Sequence, residues 1–211
     1  AKEVRVSKAA FLEVVSVSRE TERRLVTFAE LLTKWNRHIN LVSASTLKDL
    51  WSRHFLDSAQ LLSLAEGRSG LWLDVGTGGG FPGIVVAIIA AEARPDLRVR
   101  CIESDQRKAT FLRTVARECG VSVEVLSERV EKVEPVSADV ISARALAPLD
   151  DLLAYAQRHL KPGGLALFLK GAGYREELET ALVNWRFQVD TYPSKTNPDA
   201  VVLKIGDIER A

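Results

Sequence analysis

Residues Leu73–Gly83, LDVGTGGGFPG, carry two glycine fingerprints that overlap out of register. Asp74, Gly76, Gly78 and Gly80 make an acidic position followed by alternate glycines, whereas Gly78, Gly80 and Gly83 have the spacing of a dinucleotide-binding turn. Both bring bare backbone close to a ligand, but the ligands differ in charge. A dinucleotide presents a pyrophosphate, which needs free N–H groups at a helix N-terminus. A carboxylate at the head of the loop repels phosphate and suits a cationic ligand.

The register of the preceding strand separates the two. If that strand is Leu71–Val75, Gly76 opens the turn, and a dinucleotide fingerprint begun there needs glycine at position 81, which is Phe. Begun at Gly78, it leaves two residues between strand and fingerprint and puts Pro82, which lacks an N–H, in the phosphate-facing turn. Pro82 fits the first position of a helix instead, with Gly83 packing that helix on the sheet and the apolar run Ile84–Ala91 forming its buried body. Asp74 then selects a phosphate-free, positively charged cofactor, and S-adenosylmethionine has both properties. Glu103, twenty residues past Gly83, is placed to hold ribose hydroxyls under either cofactor. No Gly-Lys-Ser/Thr follows, which excludes an ATPase cradle.

These residues need strands behind them. After EGRSG, the runs LWLDV, VRCIE, VSVEVL, ADVIS and GLALFLK alternate with helix-like stretches, the pattern of repeated βαβ units and hence of a mostly parallel sheet with ligands at the strands' carboxyl ends. WRFQVDTY and DAVVLKIG follow one another around Pro193, Ser194, Asn197 and Pro198 and predict a closing antiparallel hairpin. Ahead of the sheet, Leu25, Phe28, Leu32 and Trp35 recur at steps of three and four in a helix capped by Ser18. A second helical stretch is expected from Ser45 or Thr46, and a shorter one over Ser7–Val15. The expected organisation is therefore a helical cap over 1–67 and a Rossmann-like α/β domain over 68–211.

Other chemistries find little support. Cys101 and Cys119 lie in separate apolar segments without metal-ligand spacing and read as core thiols, so neither a disulfide nor a metal site is expected. Methyl transfer to carbon needs a nucleophile such as cysteine after a strand, and transfer to an exocyclic amine uses an Asn/Asp-Pro-Pro-aromatic loop where this chain has ISARALAPL. Attack by a ring nitrogen remains, requiring alignment and no general base. His38, His54 and His159 are scattered and read as structural or surface residues.

The combination of LDVGTGGGFPGI with KWNRHINLVS, SRHFLDSAQLL, SERVEKV and ISARALAPL resembles the bacterial 16S ribosomal RNA guanine-N7 methyltransferases, the glucose-inhibited division protein B family. The resemblance runs from the Ser18 helix to Lys170 and Gly171. It implies a class I S-adenosylmethionine-dependent methyltransferase with a mostly parallel seven-stranded sheet, acting on N7 of a guanine in a 16S rRNA loop. By motif match it puts Gly76 and Phe81 at the methionine end, Glu103 and Ser104 at the ribose, Val130 and Glu131 at the adenine edge, and Arg144 facing cofactor and RNA. Arg144 would bind phosphate or stack on the target base, against the plainer reading of a helix-capping arginine. The chain departs from the family pattern at Glu103, where many relatives carry Asp, and at Gly79.

Within the cap's matching segments, Lys34, Arg37, Asn40, Arg53 and His54 form a candidate RNA surface, with Lys170 added at the end of the fifth strand. The plainer reading makes Lys34 and Arg37 solvent-facing and leaves Asn36, Asn40, His54 and Asp57 to internal hydrogen bonds, while Lys170 would pair with Glu103 or Asp74. Charge supports the cap lightly: residues 1–70 hold eleven Lys/Arg against eight Asp/Glu, and the remainder eighteen against twenty. The longest apolar run is far too short for a bilayer and no signal pattern opens the chain, so a soluble, cytoplasmic monomer acting on 16S rRNA or an assembling small ribosomal subunit is expected. Three other readings stay open: a methyltransferase for protein or small molecules, a nicotinamide oxidoreductase and a non-catalytic RNA-binding protein.

Overall fold

The computed structural model describes residues 8–211, so Ser7, the expected start of the first helix, lies outside the described residues. Helix α1 (Lys8–Val14) precedes α2 (Arg19–Trp35), which begins where the Ser18 hydroxyl accepts a hydrogen bond from the Thr21 N–H at 3.0 Å. Leu25, Phe28 and Leu32 are fully buried along its inner face, and half-buried Trp35 packs on Phe111 with ring centroids 5.4 Å apart. The next stretch differs from the continuous helix expected from Ser45 or Thr46. Ser43 is the cap, accepting from the Thr46 N–H at 3.3 Å, and the chain passes through α3 (Ala44–Leu47), a π-helical segment (Leu50–Leu56) and α4 (Asp57–Leu64). The wider π-helical turn carries Leu50, His54, Phe55 and Leu56 inward together.

Seven strands follow: β1 (Gly70–Val75), β2 (Leu97–Ile102), β3 (Val123–Leu126), β4 (Ala138–Arg144), β5 (Leu160–Lys170), β6 (Trp185–Pro193) and β7 (Val201–Arg210). Their order is β3-β2-β1-β4-β5-β7-β6, parallel except for β7, which runs antiparallel to both β5 and β6. The expected mostly parallel sheet and closing hairpin are both present. Helices α5 (Gly83–Ala93) and α6 (Gln106–Cys119) cover one face with the N-terminal helices, and α7 (Leu149–His159) and α8 (Tyr174–Asn184) cover the other.

Helix α5 is buried from Gly83 to Ala90 because it lies between sheet and N-terminal helices, which accounts for its apolar composition on all sides. Pro82 stands one position earlier than expected, as the residue before the helix, with its carbonyl accepting from the Val86 N–H at 3.0 Å. Because β2 and β3 lie on one side of β1 and β4 on the other, the connection reverses direction between β1 and β4. Ligands of open α/β sheets bind outside the strand ends at such a reversal. Register pairs Val75 with Ala143 there, which sets the loop opening at Gly76 beside Arg144.

Candidate active site

A cavity of about 470 Å³ opens at this reversal, within the range of small-molecule sites. Gly76, Gly78 and Phe81 come to it from the loop after β1, Glu103 and Ser104 from the end of β2, Val130 and Glu131 from the segment after β3, and Arg144 from the end of β4. Eight of the expected cofactor positions are thus brought together by the strand ends.

All but one of the loop's own N–H groups are engaged, Gly79 being the exception. Gly76 and Thr77 donate to the Ile102 carbonyl at 2.9 and 3.3 Å, Gly80 and Phe81 to the Thr77 carbonyl at 3.0 and 3.1 Å, and Gly83 to Asp74 Oδ2 at 2.9 Å. The Gly78 N–H donates to Glu103 Oε2 at 2.7 Å. With Pro82 lacking an N–H, little is left to cradle a pyrophosphate. Glu103 Oε1 accepts from the Asp105 N–H at 3.0 Å, so each oxygen holds one backbone donor and keeps a lone pair for a hydroxyl. Gly78 is in the left-handed region at φ 57°, and a Cβ there would meet nothing nearer than the Gly76 carbonyl oxygen at 3.9 Å.

Asp74 and Gly80 are the corrections to the expected cofactor contacts. Asp74 does not line the cavity; it is fully buried, accepting from Ser142 Oγ at 2.7 Å as well as from Gly83. Strand alternation places it on the same face as Trp72, whose indole N–H donates to Ser142 Oγ at 2.8 Å, beneath α5. Burial raises its pKa to about 7, against the partial relief of bonds from Ser142, Thr77 and Gly83. Its role is to tie β1 to the first turn of α5. Gly80 also faces away: a Cβ there would meet the Phe28 ring at 2.6 Å, so its small size admits α2, not a ligand. A Cβ on Gly83 would meet Asp74 and Cys101 at 2.7 Å, in keeping with the helix-on-sheet role expected of it.

Phe81 joins the cavity to the N-terminal helices. Its ring stacks on Phe28 at 5.3 Å and on His54 at 4.8 Å, and the Arg144 guanidinium lies 5.0 Å from its centroid. Arg144 also donates to the Arg53 carbonyl at 3.3 Å and lies 3.8 Å from Asp57 Oδ2. The burial that holds Arg144 there lowers its pKa, opposed by Asp57 and Asp74. On the other rim, the buried His159 imidazole meets the Val130 carbonyl at 3.0 Å and fixes the turn that carries Glu131, itself paired with Arg129 at 2.7 Å.

The candidate RNA surface divides. Lys34, Arg37, Asn40 and Arg53 are exposed. His54 is buried, hydrogen-bonded to Thr46 Oγ1 at 3.0 Å, and its pKa falls to about 3 through burial and the nearby Arg144 and Arg53, so it offers no cation. The Lys170 side chain is 8% exposed and donates to Glu177 Oε1 at 2.8 Å and the Ala147 carbonyl at 2.9 Å; its partner is neither Glu103 nor Asp74, and it presents no free charge. Asn36 bonds internally, accepting from the Leu41 and Val42 N–H groups at 3.0 Å each, which sets Leu41 in the cavity wall.

Sequence reasoning missed Lys108, Glu128, Arg129 and Tyr155 on the wall; Asp57, beside it, makes internal hydrogen bonds as its plainer reading has it. Glu128 and Arg129 follow the carboxyl end of β3, so the strand-end rule contains them; Tyr155 reaches the cavity from within α7 and carries no local signal. Among the described residues no group of three His, Cys, Asp or Glu is placed to hold a metal, and no helix is long and apolar enough to cross a membrane.

The sheet order, the antiparallel seventh strand and the cavity over the β1–β4 reversal define the class I methyltransferase fold. A structure titled a SAM dependent methyltransferase from Aquifex aeolicus superposes with a TM-score of 0.59 at 16% identity, over 84% of this chain and 97% of that one. The profile of the GidB family, described as rRNA small subunit methyltransferase G, matches residues 21–200. A protein of Ruegeria pomeroyi named ribosomal RNA small subunit methyltransferase G is 53% identical over 93% of this chain and 96% of its own length, and one of the same name from another Ruegeria is 54% identical over 93% and 95%. The chain belongs to this family.

Proposed function

We propose that the protein transfers the methyl group of S-adenosylmethionine to N7 of a guanine in 16S rRNA, free or within an assembling small ribosomal subunit. The observation that carries the cofactor is the bond from the Gly78 N–H to Glu103 Oε2, which takes that N–H from a phosphate and fixes a carboxylate for hydroxyl donors. The cavity fits such a nucleoside: Glu103 and Ser104 hold the ribose, the Val130–Glu131 turn the adenine edge, and Gly76, Gly78 and Phe81 the methionine end. When bound, the cofactor supplies an electrophilic methyl group that a lone pair accepts without proton transfer.

The protein's part is alignment and charge. Arg144, stacked on Phe81 at the rim, orients the acceptor, and the exposed cations Lys34, Arg37 and Arg53 of the N-terminal segment bind RNA phosphates. Cys101 is enclosed under α5 and Cys119 lies at the end of α6, so neither stands at the rim as a nucleophile toward carbon. Calorimetric titration with S-adenosylmethionine and with NAD, followed by transfer of labelled methyl to small-subunit RNA, tests the reading. Binding of NAD alone, or label appearing in protein or small molecules and not in RNA, refutes it.

A further inference from the structure

A second cavity of about 300 Å³, bounded by Asp57, Lys170, Gly171 and Glu177, shares Arg144 and Ala145 with the cofactor cavity. Most of its polar groups are committed. Asp57 Oδ1 accepts from Gln60, Ser194 and Thr196 at 3.0, 3.3 and 3.1 Å, and Oδ2 faces Arg144. Lys170 is occupied by Glu177 and Ala147. Glu177 Oε1 accepts both Lys170 Nζ and the Leu149 N–H, at 2.8 and 3.0 Å. Glu177 Oε2 has no hydrogen-bond partner among the described residues. It is a carboxylate oxygen held rigid through its twin, on a residue whose side chain is 31% exposed.

We infer that this second cavity seats the target guanine and that Glu177 reads it by accepting from its N1–H, an inference that rests on guanine-N7 methylation as the function. N1 and N7 lie on adjacent edges of a guanine, one on each side of O6. A base with N7 toward the shared rim at Arg144 and Ala145 therefore turns N1 to a neighbouring wall of the cavity, which Glu177 lines. O6 lies between those edges, within the province of the Arg144 guanidinium. An arginine fork on O6 and N7 together, the common way of reading guanine, would cover the lone pair that must react. Arg144 is held back from that pose by Asp57 and the Arg53 carbonyl, leaving N7 open.

The carboxylate supplies selectivity that the transfer chemistry lacks. Adenine has an equally available N7, but its N1 carries a lone pair that opposes an anionic oxygen, which rejects the wrong base. The same contact favours the reaction. Methylation leaves the purine positively charged, so N1–H becomes a stronger donor and its bond to Glu177 strengthens toward the transition state.

The test uses the full-length protein and small-subunit RNA, free and reconstituted into subunits, with guanine, 1-methylguanine or adenine at the target position. Single-turnover transfer is expected to fall about ten- to a hundredfold for 1-methylguanine, which keeps N7 and loses N1–H, and further for adenine. Glu177→Ala, with cofactor affinity as the check on folding, is expected to bring the guanine to 1-methylguanine ratio close to one. Equal rates on the two bases with the unaltered protein overturn the inference, as does a ratio that survives Glu177→Ala. Loss of all transfer in that variant with cofactor binding intact also counts against it, since Glu177 then serves only to hold the loop at Leu149. No transfer to the guanine RNA by the unaltered protein in either form refutes instead the function on which the inference rests.

Discussion

The Gly78 N–H and the Glu103 carboxylate, twenty-five residues apart in sequence, are joined by a 2.7 Å hydrogen bond across the mouths of β1 and β2. This bond takes the Gly78 N–H from a phosphate and sets a carboxylate in the cavity wall, the arrangement on which the proposed nucleoside site rests.

Replacing Glu103 therefore acts twice, removing the proposed ribose acceptor and freeing the Gly78 N–H. Glu103→Ala is expected to weaken S-adenosylmethionine binding about ten- to a hundredfold, the scale of a charged hydrogen bond. Glu103→Asp, one methylene shorter, is expected to lose less. Calorimetric titration measures both, and unaltered affinity in Glu103→Ala contradicts the placement of the ribose.

Asp74 predicts a pH dependence of stability. Its folded pKa is raised from 3.8 to about 7, so between these values the native state holds a proton that the unfolded chain releases. Stability from this group is present at low pH and declines as pH rises toward about 7. Denaturation of the protein and of Asp74→Asn at pH 5 and pH 8 is expected to show the native carboxyl favoured more at pH 5. A pH-independent difference between the two rules this out.

Arg144 predicts a separation of activity from folding. Arg144→Ala is expected to lower turnover about a hundredfold, with stability reduced by about 1–2 kcal/mol through the unmet Asp57 and Arg53 groups. Arg144→Lys is not expected to restore turnover, because a point charge lacks the planar face that stacks on Phe81. Rates and denaturation midpoints together check this, and full activity in the lysine variant argues against the stacked role.

The exposed cations predict the salt response. Removing Lys34, Arg37 or Arg53 singly is expected to reduce the slope of log affinity for single-stranded target RNA against log salt by about 0.7 for each phosphate left unneutralised. His54→Gln is expected to leave that slope unchanged, since His54 is buried and neutral. Filter-binding across a salt series distinguishes the two classes.

Much of the site is legible in the sequence because strand ends carry it. The mismatch of Phe81 and Pro82 with a dinucleotide turn sets the register of the loop, and Glu103 follows from its place after the second strand. Asp74 escapes such reasoning because the whole of Leu71–Val75 is buried, so alternation alone does not tell which face a residue joins; the carboxylate goes beneath α5 with Trp72. The π-helical break at Leu50–Leu56 has no compositional mark, and it decides that His54 stacks on Phe81 and not toward solvent. Lys170 and Glu177 meet across the turn between β5 and α8, and the contacts of Asp57 with Ser194 and Thr196 join distant parts of the chain.

The most direct measurement of the central claim is mass analysis of nuclease digests of small-subunit RNA after reaction with the protein and S-adenosylmethionine. A single added methyl group on N7 of one guanine is the predicted result. A methyl group on carbon, on an exocyclic amine or on ribose, or an unmodified RNA beside a turned-over cofactor, would contradict the account.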